Sequence, residues 1–94
     1  MNYELAFKDQ ALKEWRKLDS HLQDLFKNKL SERLKEPHIP GSLLRGMIDC
    51  YKIKLRGTGY RLVYQVRDKE LIVVVIAVGK RDKNLVYKVA QKRL

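Results

Sequence analysis

The apolar positions at the start of the chain follow two successive patterns, first that of a strand and then that of a helix. Tyr3, Leu5 and Phe7 alternate with polar or small residues, as in a half-buried strand, and we expect this strand to lie at a sheet edge. From Lys8 the period lengthens, and apolar residues recur at helical spacing at Ala11, Leu12, Trp15 and Leu18. The pattern therefore predicts a short amphipathic helix after the strand.

A second helix is predicted to begin at Ser20, because Ser20 and Gln23 match a capping box. Pro37 cannot continue a helix, so it sets the end. The apolar row between these limits contains Leu22, Phe26, Leu30 and Leu34. Two helices joined by about two residues must lie antiparallel, and we expect them to form a helical hairpin on one face of a sheet. Residues 36–42, which contain both prolines, are expected to form a loop.

Strand-like runs follow this loop at residues 51–55, 60–67 and 71–78, separated by short turn-forming stretches. They predict an antiparallel meander, with the last strand closed by Gly79. Residues 84–93 are expected to form a final helix, with Leu85, Val89 and either Lys92 or Arg93 along one side. The predicted fold class is α+β: a single domain over residues 1–94, with a small antiparallel meander sheet, an N-terminal helical hairpin packed on one face and a short C-terminal helix.

The charge of the chain indicates a polyanionic partner. Twenty-one Lys and Arg residues stand against eleven Asp and Glu, giving a formal net charge of +10. Nucleic acid is the commonest partner of this kind, because contacts to phosphates release condensed counterions. A basic surface that only maintains solubility is the alternative that charge leaves open.

The cysteine content and the apolar runs suggest a cytoplasmic protein. Cys50 is the only cysteine, so no internal disulfide can form. The first residues lack the regions of a secretion signal. The longest apolar run, 71–78, is far shorter than the roughly 20 residues of a membrane-spanning helix. We therefore expect no membrane contact.

Alternation within the predicted strands gathers basic side chains on one face. Lys52 and Lys54 lie opposite to the apolar face of their strand, with Arg56 as a further candidate. If the apolar residues of both strands face the helices, the connecting loop has even length and Lys54 lies opposite Arg61. Like charges placed so destabilise a sheet by about 0.2–1 kcal/mol. A polyanionic ligand would explain the arrangement, and charged ends that splay into solvent are the alternative.

The candidate chemistry is restricted by what the sequence lacks. His21 and His38 are far apart in different elements, and the carboxylates are scattered without metal-ligand spacing. Gly57 and Gly59 are better explained by a hairpin turn than by a nucleotide loop, and Cys50 has no partner that would make it a nucleophile. Catalysis would have to come from Lys, Arg and Tyr acting on RNA, whose 2′-hydroxyl is its own nucleophile. No cofactor and no metal are expected.

Several segments together resemble the RelE family of toxins, within the RelE/ParE superfamily. They are ALKEWRKL at 11–18, LRG at 44–46, DCYKIKLR at 49–56, GYRLVY at 59–64, VGKR at 78–81 and VY at 86–87. The resemblance extends over essentially the whole chain in one register. It implies a metal-independent endoribonuclease that cuts mRNA in the ribosomal A site by 2′-hydroxyl attack, leaving a cyclic phosphate and a 5′-hydroxyl.

The resemblance also implies partners and residue roles. The partners are a RelB-like antitoxin and the 70S ribosome with its mRNA, and operator DNA is reached only through the antitoxin complex. Lys52 and Lys54 would act as base or as cations that activate the hydroxyl, Arg61 would stabilise the phosphate, and Arg81 would act as acid or charge partner. Tyr87 would stack on a base. Further RNA-contacting positions are Arg45, Arg56 and Lys80.

Relatives on this scaffold that use histidine are not matched, and those that poison DNA gyrase usually lack the full basic set. The completeness of this set favours the nuclease. The alternative function is a non-cleaving toxin of the same fold that binds nucleic acid or gyrase. Ordinary structural roles also remain open, with Arg81 as a turn residue and Tyr87 packed on the sheet.

Overall fold

The computed structural model describes residues 2–80 and 82–94, and of residue 83 the backbone only. Two short 3-10 turns, at Pro40–Ser42 and Asp82–Asn84, accompany seven longer elements. In chain order these are β1 (Glu4–Phe7), α1 (Asp9–Arg16), α2 (Ser20–Lys35), β2 (Cys50–Leu55), β3 (Tyr60–Arg67), β4 (Ile72–Lys80) and α3 (Leu85–Arg93). The predicted α+β class is confirmed.

The sheet has four strands in the order β1-β4-β3-β2. β2, β3 and β4 form the predicted antiparallel meander, and β1 lies at an edge as expected. The prediction of a purely antiparallel sheet is wrong, because β1 runs parallel to β4, from Glu4 beside Ile72 to Phe7 beside Val75. Alternation at 3–7 predicts a strand but carries no information about its neighbour. The partner depends on the crossover through the helices, which brings β1 to the strand that comes last in the chain.

The helices α1 and α2 cover one face of the sheet, as predicted. Their buried residues join the even-numbered side chains of β3 in one apolar cluster, here called the hairpin-side core. Its members include Ala11, Trp15, Phe26, Leu30, Ile53, Leu62, Tyr64, Val75 and Val78. No helix in the described part of the chain is long and apolar enough to cross a membrane.

The second helix begins at the predicted residue but with a different cap. Asp19 precedes α2, and its carboxylate accepts a hydrogen bond from the Leu22 N–H at 3.0 Å. The side chain of Gln23 instead donates to the Trp15 carbonyl at 2.9 Å, which ties the two helices together. The predicted Ser20–Gln23 capping box is therefore wrong, because the carboxylate one residue earlier caps the helix by accepting from the Leu22 N–H.

α3 covers the opposite face and closes a second apolar cluster, the α3-side core. It contains Met47, Cys50, Val63, Val74, Ile76, Ala77, Val86 and Ala90. The predicted stripe on α3 is rotated by one position, since Val86 and Ala90 are buried whereas Leu85 is 57% exposed. Asn84 adopts a left-handed conformation with φ of 60°, so the helix starts only at Leu85. Sequence spacing alone does not predict how such a turn orients the helix relative to the sheet.

A β-bulge in β4 determines which of its side chains face each core. Tyr64 pairs with Val75, but Val63 pairs with Ala77, which leaves Ile76 as the extra residue. Ile76 and Ala77 therefore both face the α3-side core. β4 also continues through Gly79 to Lys80, two residues beyond the predicted run at 71–78.

Candidate active site

The β2–β3 hairpin brings two basic residues directly opposite each other. Leu55 pairs with Tyr60 and Lys54 pairs with Arg61, so the loop has the even length that was predicted. Lys52 pairs with Val63 and, by alternation, lies on the same face as Lys54. This face is the one that carries the α3-side core. Three of the predicted site residues are therefore brought together. They are Lys52, Lys54 and Arg61, here called the basic group.

Arg61 is the most unusual side chain of this group, because it is charged and only 9% exposed. One of its terminal nitrogens, Nη1, donates to the carbonyl oxygen of Tyr60 at 3.0 Å. Its Nε is buried and has no hydrogen-bond partner within residues 2–80 and 82–94. Leaving a buried donor unpaired costs about 1–3 kcal/mol, and more for a charged group.

The two strands that carry Lys54 and Arg61 contain no carboxylate. From residue 50 to residue 67, β2, β3 and their loop contain no Asp or Glu. The residue opposite Arg61 on the β4 side is Gly79, which has no side chain to fill the space above the guanidinium. A phosphate bound beside the guanidinium would balance its charge and would also reduce the repulsion between Arg61 and Lys54.

Arg33 of α2 supports the strand that carries the lysines. Its Nη1 donates to the Tyr64 hydroxyl at 2.7 Å and to the Lys52 carbonyl at 3.4 Å, and the guanidinium lies over the Tyr64 ring. The Tyr64 hydroxyl in turn donates to the carbonyl of Pro37 at 2.8 Å. This contact was not predicted, although a basic residue between Leu30 and Leu34 on the apolar side of α2 was a signal for it.

Tyr87 lies on α3 and is half-buried against the α3-side core. Its ring is therefore on the same side of the sheet as Lys54 and Arg61. Packing on the sheet was the structural alternative for this residue, and the partial exposure leaves part of the ring accessible. Both roles are compatible with the observed position.

Other predicted contact residues do not join the group. Arg45 lies in the loop before β2 and Arg56 in the turn after it, so these two exposed residues are at opposite ends of the strand. Lys80 pairs with Tyr60 and places its ammonium 5.6 Å from the centre of that ring. The bulge in β4 turns Lys80 toward the hairpin side of the sheet, away from Arg61. Arg81 lies outside the described residues.

Cys50 lies on the same face as Lys52, whereas His38 lies beside Tyr51 on the hairpin side of the sheet. Cys50 is fully buried, and burial together with the nearby Asp49 raises the pKa of its thiol to about 11. His38 contacts the Tyr51 hydroxyl at 3.1 Å and the Asp68 carboxylate at 2.8 Å, beside the β3–β4 turn. Within the described residues, no cluster of three or more His, Cys, Asp or Glu side chains could hold a metal ion.

Comparison with known proteins places the chain in a family. The family model described as the ParE toxin of the type II toxin-antitoxin system parDE matches residues 5–85. A protein of Escherichia coli K12 named mRNA interferase toxin RelE is 56% identical over 94 residues, covering 100% of this chain and 99% of the relative. The chain belongs to the RelE/ParE toxin family.

Solved structures of RelE proteins agree with this membership. An arginine-to-alanine double mutant of E. coli toxin RelE in the free state has a TM-score of 0.92 and 55% sequence identity, covering 100% of this chain and 99% of that one. RelE in the intact E. coli RelBE toxin-antitoxin complex has a TM-score of 0.82 at 59% identity, covering 83% and 95% of the two chains. The sheet, the hairpin and α3 are thus the RelE fold.

Proposed function

We propose that this RelE-family protein is the toxin of a type II toxin-antitoxin system and cuts mRNA in the ribosomal A site, which stops translation. The observation that carries the proposal is Arg61, a buried guanidinium with an unpaired Nε that faces Lys54 across a strand pair without carboxylates. Such a group is suited to an anion that arrives from outside. The likeness to the E. coli protein named mRNA interferase toxin RelE supports RNA as that anion.

The proposed reaction uses the ribose 2′-hydroxyl as nucleophile and needs no metal of the protein's own. The hydroxyl attacks the adjacent phosphorus, the bond to the 5′-oxygen of the next nucleotide breaks, and a 2′,3′-cyclic phosphate and a 5′-hydroxyl result. Lys52 and Lys54 act as the general base that takes the hydroxyl proton or as cations that activate the hydroxyl, and Arg61 stabilises charge that develops on the phosphate oxygens. The leaving 5′-oxygen gains a proton from the acid. Arg81 serves as acid or charge partner on the strength of the family resemblance, and Tyr87 stacks on a base.

Cleavage is expected to require the ribosome because the basic group is small. A few side chains on a sheet face can hold a phosphate, but they cannot also bend a free strand so that the hydroxyl and the leaving oxygen are in line. Holding the reacting groups in the correct geometry accounts for a large part of the rate acceleration by an enzyme. We therefore expect the A site to supply the alignment.

A RelB-like antitoxin is the proposed protein partner, since RelE structures include a RelBE complex. Its segment that covers this chain should be acidic or amphipathic, because the chain has a net charge of +10. Contact with operator DNA would occur only through that complex. The proposed location is the cytoplasm, where ribosomes and mRNA are present.

A non-cleaving toxin of the same fold, one that binds nucleic acid or DNA gyrase, is the second candidate. It is favoured by the ParE description of the family model that matches residues 5–85. The presence of Lys52, Lys54 and Arg61 on one face argues for the nuclease.

Mapping of mRNA ends tests the two candidates. The protein is incubated with ribosomes that hold a defined codon in the A site, and the same message without ribosomes serves as the control. We expect a new 5′-hydroxyl end within the A-site codon and little cutting of the naked message. Translation that stalls on intact mRNA would support the second candidate instead. Equal cutting of both samples would contradict the dependence on ribosomes.

A further inference from the structure

β4 has β1 as a neighbour along only part of its length, whereas β3 continues beside it. β1 accompanies β4 only as far as Val75, where the Lys8 N–H donates to the Val75 carbonyl at 3.0 Å. The bulge at Ile76 follows immediately. Beyond it, the Ile76 carbonyl and the Val78 N–H point to the edge that β1 has left. These backbone groups are in a largely buried strand and need partners.

Two charged side chains from different helices satisfy these groups. Glu14 of α1 accepts a hydrogen bond from the Val78 N–H at 3.1 Å, and Arg93 of α3 donates to the Ile76 carbonyl at 2.9 Å. Glu14 and Arg93 also bind each other through two bonds, of 2.8 and 3.0 Å. The side chains are 32% and 15% exposed, so the pair is partly shielded from water.

The polarity of the pair matches that of a strand. A neighbouring strand would present a carbonyl to the Val78 N–H and an N–H to the Ile76 carbonyl. The carboxylate of Glu14 takes the first place and the guanidinium of Arg93 takes the second. An ordinary salt bridge between two helices has no such requirement, since only the opposite signs of the charges matter.

The stretch of β4 held in this way borders the basic group. Gly79 follows Val78 directly and lies opposite Arg61. The helix held in this way, α3, carries Tyr87, which is six residues before Arg93 in the chain. We propose that Glu14 and Arg93 are positioning residues, which fix β4 and α3 relative to Arg61 by acting as a substitute for a strand. This inference rests on the function proposed above.

Substitutions in the pair separate positioning from binding. We expect Glu14→Ala and Arg93→Ala each to lower the single-turnover rate of mRNA cleavage on saturating ribosomes, by roughly tenfold to a hundredfold, because small displacements of reacting groups are costly. The ribosome concentration that gives half the maximal rate should stay within about twofold of the wild-type value. Tyr3→Phe, which removes a hydrogen bond to Asp68 beside the β3–β4 turn, is the matched control and should leave both quantities unchanged.

Reversal of the charges is the decisive variant. In the double variant Glu14→Arg with Arg93→Glu, a donor would face the Val78 N–H and an acceptor would face the Ile76 carbonyl. We expect this variant to cleave no faster than either single variant, although its charges still attract. Cleavage at the wild-type rate in the reversed pair would overturn the inference, since it would show that the two residues only tether the helices.

Hydrogen exchange gives a readout that does not depend on RNA cleavage. In the folded protein, Glu14→Ala and the reversed pair should each speed exchange of the Val78 amide at least about tenfold, whereas Tyr3→Phe should not. Unchanged exchange in both variants would refute the role of the pair. If the wild-type protein fails to cut on ribosomes, the proposed function fails, and the exchange experiment still decides whether the pair substitutes for a strand.

Discussion

Gly79 lies directly opposite Arg61 in the β3–β4 ladder, and this pairing exists only because β4 carries Ile76 as an extra residue. Without the bulge, Val78 would stand in that place and Lys80 would point to the same face as Arg61. The bulge thus exchanges an apolar side chain for open space above a buried guanidinium. The space is where an RNA phosphate would lie in the proposed complex.

Filling this space should block cleavage without harming the fold. A side chain at position 79 meets no atom within 4 Å of its Cβ, and the backbone there is not in a glycine-specific conformation. We expect Gly79→Leu to keep the wild-type melting temperature and to cleave at least about a hundredfold more slowly, because the phosphate contact is obstructed. Gly41→Leu, at an equally open glycine in the loop before β2, is the control and should cleave normally.

Replacement of Arg61 should affect activity and stability in opposite directions. Arg61→Met keeps an apolar stem of similar length but removes the unpaired Nε–H, so we expect the free energy of unfolding to rise by about 1 kcal/mol. Cleavage should fall by roughly a hundredfold to a thousandfold while ribosome binding survives. Urea titration and cleavage assays on the same preparation check both parts. Loss of ribosome binding in step with cleavage would contradict the transition-state role of Arg61. We also expect Arg81→Ala to slow cleavage while ribosome binding survives.

Leu71 is a source of local strain. It adopts φ of 55° in the turn before β4, a left-handed conformation that costs an ordinary side chain roughly 1–2 kcal/mol. Asparagine tolerates this conformation, so Leu71→Asn should stabilise the fold by up to about 1 kcal/mol. Glu70→Asn, one residue earlier in the same turn, is the control without a positive φ. Thermal unfolding of the three proteins gives the comparison, and a lower melting temperature for Leu71→Asn would refute the strain.

Asp68 should contribute to stability in a pH-dependent way. Hydrogen bonds with Tyr3 and then His38 hold the pKa of Asp68 below its ordinary value of 3.8. Because the pKa is lower in the folded state than in the unfolded chain, the contribution is complete above pH 3.8 and disappears as the pH falls through the folded-state pKa. The difference in unfolding free energy between wild type and Asp68→Asn should therefore shrink toward zero in acid. A difference that grows as the pH is lowered would mean that the sign is wrong.

Local rules predict the β2–β3 hairpin well but not the other half of the sheet. The facing of Lys54 and Arg61 follows from alternation and loop parity alone, because both strands have one clear apolar face. β4 is apolar on both faces, so its alternation gives no sign of the bulge at Ile76. The orientation of Lys80 depends on that bulge and could not be obtained from the sequence.

The support of the site was also hidden from sequence patterns, for a different reason. Glu14 and Arg93 are 79 residues apart, and each looks like an ordinary charged residue of an amphipathic helix. Their common feature is a position beside the apolar stripe of α1 or α3 rather than opposite to it. Opposite charges placed in this way on two helices are a usable signal that the helices meet. The backbone groups that the pair satisfies become visible only with the register of β4.

The division of the sheet into two faces has a practical consequence for producing the protein. Lys54 and Gly79 lie on the α3 side, outside the hairpin-side core that packs α1 and α2 against the strands. A chain disabled at these positions should keep its native shape while a bacterial host tolerates it. Such an inactive variant could be overexpressed without the antitoxin. It could then be used to raise antibodies and to find compounds that also bind the active protein.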